Sequence, residues 1–218
     1  LVGSEMCIRD RKRNIARYLD HSIVYYASWM DKYRDTPEFR NVEHVSYVDA
    51  DMQLVDTLRK GKTNCVVELM HAIDRLKDYR NMSDSLVRLN LMYVIHIVGD
   101  MHCPSHVKYP GCKSGRADLN GKKMSYHAMW DWGVLDGAHG WSYSEYRLLL
   151  DTFSKREKAG MAKGTPREWL YETAVACRVI YDWQRADGTY GKQFVTDTYL
   201  LPERQLILAS YRLAAVLN

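Results

Sequence analysis

The chain has 218 residues, 46% of them apolar and 27% charged, with 31 Lys and Arg against 27 Asp and Glu for a formal charge of +4. That length and balance suit one folded domain with a full core and exclude a disordered chain. The longest apolar run, 89–98, is broken by Asn90 and His96 and is too short to span a bilayer, and the mild basic excess is compatible with a polyanionic partner without selecting one.

Residues 1–11 (LVGSEMCIRDR) resemble a translated sequencing-adapter artefact and are set aside as non-native, leaving 12–218 as the domain. From there, apolar residues recur at three- and four-residue steps over 15–34, 66–79, 83–101, 142–158, 166–185 and 202–217, which predicts helices. Ser83-Asp84 marks one helix start, and Thr165 before Pro166 and Glu168 marks another, with proline at the first helical position. A short extended piece is expected around 44–49. Residues 111–123, rich in Gly, Lys and Arg, predict an exposed loop. No repeat or low-complexity tract appears. The expectation is an all-α, single-domain, multi-helix fold with long loops.

The chemistry concentrates in His96-Ile97-Val98-Gly99-Asp100-Met101-His102-Cys103-Pro104-Ser105-His106 and in His127-Ala128-Met129-Trp130-Asp131. Each segment sets a histidine and an aspartate four apart, on one face of a helix, and the first adds His106 just past Pro104. Imidazole nitrogens and carboxylate oxygens converging in this way are what zinc binds in catalytic sites. With 8 histidines and 27 acidic residues, chance alone gives about one His-x-x-x-acid pair, so the spacing by itself leaves surface or capping pairs open. Context adds weight. His96 and Asp100 share a helix whose other face carries Leu91, Val94, Ile95 and Val98, and a carboxylate against such a core is costly unless paired.

The first segment resembles the His-Phe-Ile-Gly-Asp-x-x-Gln-Pro-Leu-His element of the zinc-dependent single-strand nucleases. These are the fungal S-one and P-one type enzymes and the plant bifunctional nucleases, in the superfamily shared with bacterial phospholipase C. Ser125-Tyr126-His127-Ala128-Met129-Trp130-Asp131 is similar to their Asn-Leu-His-x-x-Trp-Asp, and Ala27-Ser28-Trp29-Met30-Asp31-Lys32-Tyr33-Arg34 to Ala-x-Trp-Ala-Asp-x-x-Arg. The closing Ala209-Ser210-Tyr211-Arg212-Leu213-Ala214-Ala215-Val216-Leu217-Asn218 resembles Ala-Gly-x-Arg-Leu-Ala-x-x-Leu-Asn. The elements fall in the family's order.

The resemblance implies a phospholipase C/nuclease-like fold and a three-zinc site. His96 and Asp100 would bind one zinc of a close pair, with Asp100 bridging to the other and Asp31 joining the buried ion. His106, His127 and Asp131 would hold a zinc farther out. Arg34, one turn after Asp31, would face the same cleft and neutralise phosphate, so that Asp31, Arg34 and Asp100 carry the catalytic roles. The family's remaining histidine aligns with Ser46. His44 lies two residues earlier, on the same side of an extended segment, and is taken as its substitute, with a serine-weakened or empty position as the alternative. Family members also draw ligands from a mature N-terminal tryptophan and a nearby histidine. Neither has a match here, so one metal lacks its ligands and the chain reads as N-terminally truncated. A signal peptide upstream, and a secreted or periplasmic enzyme, are expected on the same ground.

Tyr47 and Tyr126 flank ligand positions and are assigned to substrate binding, as rings on which a base could stack, whereas Trp130 is assigned to the core. Cys103 replaces the usual glutamine, and a thiol beside zinc could ligate it. Cys65 stands where the family often has a disulfide cysteine, but the usual partner near the C-terminus is missing, so buried free thiols are expected. His21, His71 and His139 have no family counterpart. Lys108, Lys113, Arg116, Lys122 and Lys123 form a basic stretch that could steer nucleic acid. The implied activity is a monomeric zinc-dependent endonuclease of single-stranded DNA and RNA yielding 5′-phosphorylated products, with 3′-nucleotidase activity. A phospholipase C-like phosphodiesterase on the same metals and a catalytically inactive zinc protein are the alternatives.

Overall fold

The structure is a computed structural model that describes residues 15–58 and 61–218. The expected artefact over 1–11 lies outside the described residues. The architecture is all-α with a few short strands. Its axis is the helix Asp84–Asp100, started by Ser83, whose side chain accepts from Leu86 N. Ten of its residues, from Val87 through Val98, are buried, and a helix apolar around most of its girth belongs inside the core rather than on its surface. It packs against helices Cys65–Leu76, Leu200–Val216, Ile23–Ala27 and Trp29–Tyr33. One core cluster fills the space between Val66 and Leu69, Val94 and Ile97, and Leu170 and Ala174. A second surrounds Tyr126, Trp130 and Phe194.

The single helix expected over 15–34 is broken. After a turn over 15–18, Ser22 caps a new helix, Ile23–Ala27, by accepting from Tyr25 N, and Ser28 (φ −114°) separates it from Trp29–Tyr33. Small side chains that bond their own backbone compete with helix continuation. The helix expected over 142–158 is likewise two, Tyr143–Leu150 and Lys155–Met161. Each starts in a reciprocal cap, Ser142 with Glu145 and Ser154 with Glu157, so the second Ser-x-x-Glu is a start signal inside the apolar run. The run over 166–185 divides into Pro166–Cys177 and Val179–Asp182. Helix Lys192–Thr198 is additional to the expected set.

Residues 111–123 are not simply a loop. Arg116–Leu119 and Lys122–Ser125 form an antiparallel hairpin, and Arg116–Leu119 also pairs with Thr189–Tyr190. The turn is Asn120-Gly121, both at positive φ (53° and 85°), the combination that matches hairpin twist. The hairpin leads directly into Tyr126–Ala128, a π turn over Met129–Gly133 and helix Val134–Ala138. The extended piece expected at 44–49 is present as Ser46–Tyr47, paired in parallel with Val107–Lys108.

Candidate metal centre

Three chain segments meet at the C-terminal end of the central helix. His96 and Asp100 sit one turn apart there, with His96 Nε2 2.9 Å from Asp100 Oδ2. The break in the N-terminal helix leaves the Ala27 carbonyl at a helix end, where carbonyls lack an intrahelical partner. His96 Nδ1 donates to it at 2.7 Å. That bond fixes the tautomer, with the proton on Nδ1, and leaves the Nε2 lone pair on the side of Asp100 and available to a metal, the usual arrangement of a metal-ligating histidine.

His44 arrives from the other side. Pairing of Ser46 with Val107 docks this segment beside the 3₁₀ turn Pro104–His106. His44 Nδ1 is 3.0 Å from Asp100 Oδ2 and its Nε2 3.3 Å from Asp31 Oδ1. Ser46 turns the opposite way, fully buried, with Oγ 3.3 Å from Cys65 Sγ. The geometry therefore brings His44, not Ser46, to Asp31, His96 and Asp100.

The outer group is built on His106, which is 2% exposed. Its Nδ1 is 3.3 Å from Asp100 Oδ2 and its Nε2 3.4 Å from Asp131 Oδ1. His127 stacks its ring on that of His106, centroids 4.6 Å apart. Ser125 caps the turn that presents His127, and Asp131 lies in the π turn that follows, a helical distortion common at functional sites. Cys103 also enters, with Sγ 3.5 Å from Asp131 Oδ1. Donor atoms thus group within 4.8 Å as Asp31/His44/His96, as His44/Asp100/His106, and as Cys103/His106/Asp131.

These groups fit a metal. Asp100 Oδ2 and both ring nitrogens of His106 are buried yet make no hydrogen bond of acceptable geometry, a costly state for polar atoms that a shared cation would relieve. Zinc bonds of about 2.0 Å to nitrogen or oxygen put neighbouring donors about 3.3 Å apart in a tetrahedron, close to the contacts seen. Burial would raise the Asp100 pKa, but the imidazoles of His106, His44 and His96 hold it well below the usual carboxylate range. Burial opposes protonation of His106, yet Asp100 and Asp131 push its pKa up to about 10. His127 is lowered by burial and by the neighbouring His106.

Some expected residues stand elsewhere. Tyr126 is a correction: it is 1% exposed inside the second core cluster, its hydroxyl donating to Ile180 O at 2.5 Å, so it presents no ring face to a substrate. Tyr47 is half-buried in its strand, and burial together with Glu43 raises its pKa. Arg34 is exposed at the end of helix Trp29–Tyr33, one turn beyond Asp31. Trp130 is buried in the second core cluster. Cys65 and Cys177 are buried free thiols, and Cys103 and Cys112 are free but half-buried. Trp132, next to Asp131, was passed over in the sequence. It is the exposed aromatic of the π turn, with Lys122 Nζ 4.3 Å from its ring centre, and its neighbour in sequence was the only signal that could have found it.

Among the described residues no helix is long and apolar enough to cross a membrane. The chain is similar over 95% of its length, at 23% identity, to Endonuclease 4 of Arabidopsis thaliana, 80% of which is covered. Endonuclease 3 of the same plant matches at 24% over 95% of this chain and 79% of its own length. Nuclease S1 of Aspergillus oryzae matches at 28% over 66% of this chain and 53% of that protein. Residues 7–218 match the family model described as S1/P1 Nuclease. A His/Asp cluster suited to metal, set in an all-α frame that this model covers almost throughout, makes the chain a hydrolase of phosphodiester bonds: it belongs to the S1/P1 nuclease family.

Proposed function

We propose that the protein is a zinc-dependent endonuclease that cleaves single-stranded DNA and RNA to 5′-phosphorylated products and also removes 3′-phosphates from nucleotides. One observation carries the metal reading: Asp100 Oδ2, buried and without a well-formed hydrogen bond, ringed by nitrogens of His96, His44 and His106 at 2.9, 3.0 and 3.3 Å. Asp31, His44, His96 and Asp100 would hold metal on the inner side, and His106, His127 and Asp131 on the outer side. Two or more ions are consistent with the overlapping groups. When bound, zinc supplies Lewis acidity toward phosphate oxygens and makes a nearby water acidic enough to act near neutral pH.

The chain's own groups supply the rest. Ala27 O orients His96, so that its Nε2 needs no rearrangement on binding. Asp100 would supply the negative charge shared between the inner and outer donor groups. Arg34 would offset charge on the non-bridging phosphate oxygens. Preference for single strands would come from unpaired bases reaching an aromatic face, which duplex stacking prevents; Tyr47 remains a candidate for that face.

The test is hydrolysis of matched single-stranded and duplex oligonucleotides by zinc-loaded and chelator-stripped protein, with the product ends identified. Metal-dependent cleavage confined to single strands, leaving 5′-phosphates, supports the reading. Hydrolysis of phosphatidylcholine vesicles but not of oligonucleotides would replace it with a lipid phosphodiesterase. Full zinc loading without turnover on either substrate would leave a metal-binding protein.

A further inference from the structure

We propose that Cys103 is a ligand of the outer metal, sharing it with His106 and Asp131. This rests on the metal reading above and adds a donor that the His/Asp pattern of the sequence does not require.

Cys103 is the residue before the turn Pro104–His106, with extended backbone (φ −70°, ψ 127°). The Cys-x-x-His spacing across that turn brings its thiol to the side on which His106 opens. Sγ lies 3.5 Å from Asp131 Oδ1, 3.3 Å from Ser105 Oγ and 3.9 Å from Trp130 O. The second observation is independent of the thiol. His106 is 2% exposed, faces this group with Nε2 3.4 Å from Asp131 Oδ1, and has no hydrogen-bond partner at either ring nitrogen. Tetrahedral zinc with bonds of about 2.3 Å to sulfur and about 2.0 Å to nitrogen or oxygen sets sulfur about 3.5 Å from its neighbours and the lighter donors about 3.3 Å apart. The contacts to Asp131 match both separations. A thiol simply donating to Asp131 would account for the sulfur contact but would leave both His106 ring nitrogens without a well-formed hydrogen bond.

On binding, the S–H bond breaks, the S–metal bond forms, and the proton leaves to solvent. Thiolate and carboxylate together then neutralise a dication. A sulfur donor also biases the site toward zinc, cobalt and cadmium over magnesium and manganese, which prefer oxygen.

The experiment loads chelator-stripped protein with Co²⁺ and records its spectrum for the unmodified chain, Cys103→Ser and Cys65→Ser, with cobalt content measured in each. The expected result is a strong near-ultraviolet thiolate-to-cobalt charge-transfer band, lost in Cys103→Ser while cobalt is retained and kept in Cys65→Ser. Cobalt bound by the unmodified protein with no such band overturns the inference and spares the metal reading. A band that survives in Cys103→Ser assigns the sulfur to another cysteine and overturns it too. No cobalt bound at all overturns both. Should Cys103→Ser fold poorly, zinc-edge X-ray absorption of the unmodified protein decides: a sulfur shell at about 2.3 Å supports the ligand, and bound zinc with only the shell at about 2.0 Å refutes it.

Discussion

His44 Nδ1 stands 3.0 Å from Asp100 Oδ2, joining a strand-flanking segment to the end of the central helix. Because Ser46, two residues on, points to Cys65 instead, the two neighbours answer differently to truncation. His44→Ala should release inner-site metal and lower activity by more than the roughly 10–100-fold typical of disturbing a residue behind a ligand. Ser46→Ala should leave metal content unchanged and cost only a little stability. Metal analysis of the two variants checks this; loss in Ser46→Ala with retention in His44→Ala would refute the assignment.

Asp100→Asn keeps the shape of the side chain and the helix it ends. It removes the charge that the three imidazoles of His44, His96 and His106 surround. The expected outcome is a folded, helical protein with depleted metal and activity reduced beyond that same roughly 100-fold. Circular dichroism with oligonucleotide turnover measures both, and near-native hydrolysis would show that Asp100 does not bridge metals.

Arg212 is 2% exposed and reaches from the C-terminal helix to the segment after the central helix. Its Nη1 donates to His102 Nε2 at 2.8 Å, its Nε to Met161 O at 3.2 Å, and its guanidinium pairs with Glu172 and covers the Trp169 ring. His102 in turn donates from Nδ1 to Val98 O, and burial together with Arg212 holds its pKa down to about 3, so it stays neutral. Glu172 is 56% exposed, and its share of the pair is therefore small. The buried bonds are what Arg212→Met removes, at about 3 kcal/mol and a drop in Tm of roughly 10 °C. Arg212→Lys should recover little, since a lysine cannot present the same planar fork. A Tm within 2 °C or so of the parent would show that this link is not an anchor.

The candidate pairs are legible in the sequence because helix spacing is local: His96 with Asp100, and His127 with Asp131, follow from four-residue steps. It could not decide between His44 and Ser46, because the direction of those side chains is set by pairing of Ser46–Tyr47 with Val107–Lys108, a contact across the fold. The burial of Tyr126 has a similar origin. A ring beside a ligand in sequence looks available until the hairpin and helix Lys192–Thr198 close over it. Two further features are encoded locally: Asn120-Gly121 is a hairpin signal and Ser154-x-x-Glu157 a helix start.

In the metal-free protein the His106 pKa is raised to about 10 by Asp100 and Asp131 against the opposing effect of burial, compared with about 6.5 when unfolded. A raised folded pKa means that the group's contribution is complete below the unfolded value and is lost as pH climbs toward 10. The chelator-stripped protein should therefore lose stability between pH 7 and 10, and His106→Gln should flatten part of that slope. Metal binding runs the other way, because an ion held by His106 must displace the proton from that ring, and one that also takes Cys103 releases the thiol proton as well. Apparent zinc affinity should rise by at least about tenfold per pH unit from pH 6 through pH 8, without levelling near 6.5 as an ordinary histidine would. Competition against a chelator of known affinity, with proton release followed in parallel, measures it. A plateau above pH 7 would show that His106 is already neutral there and does not carry the proton that the metal replaces.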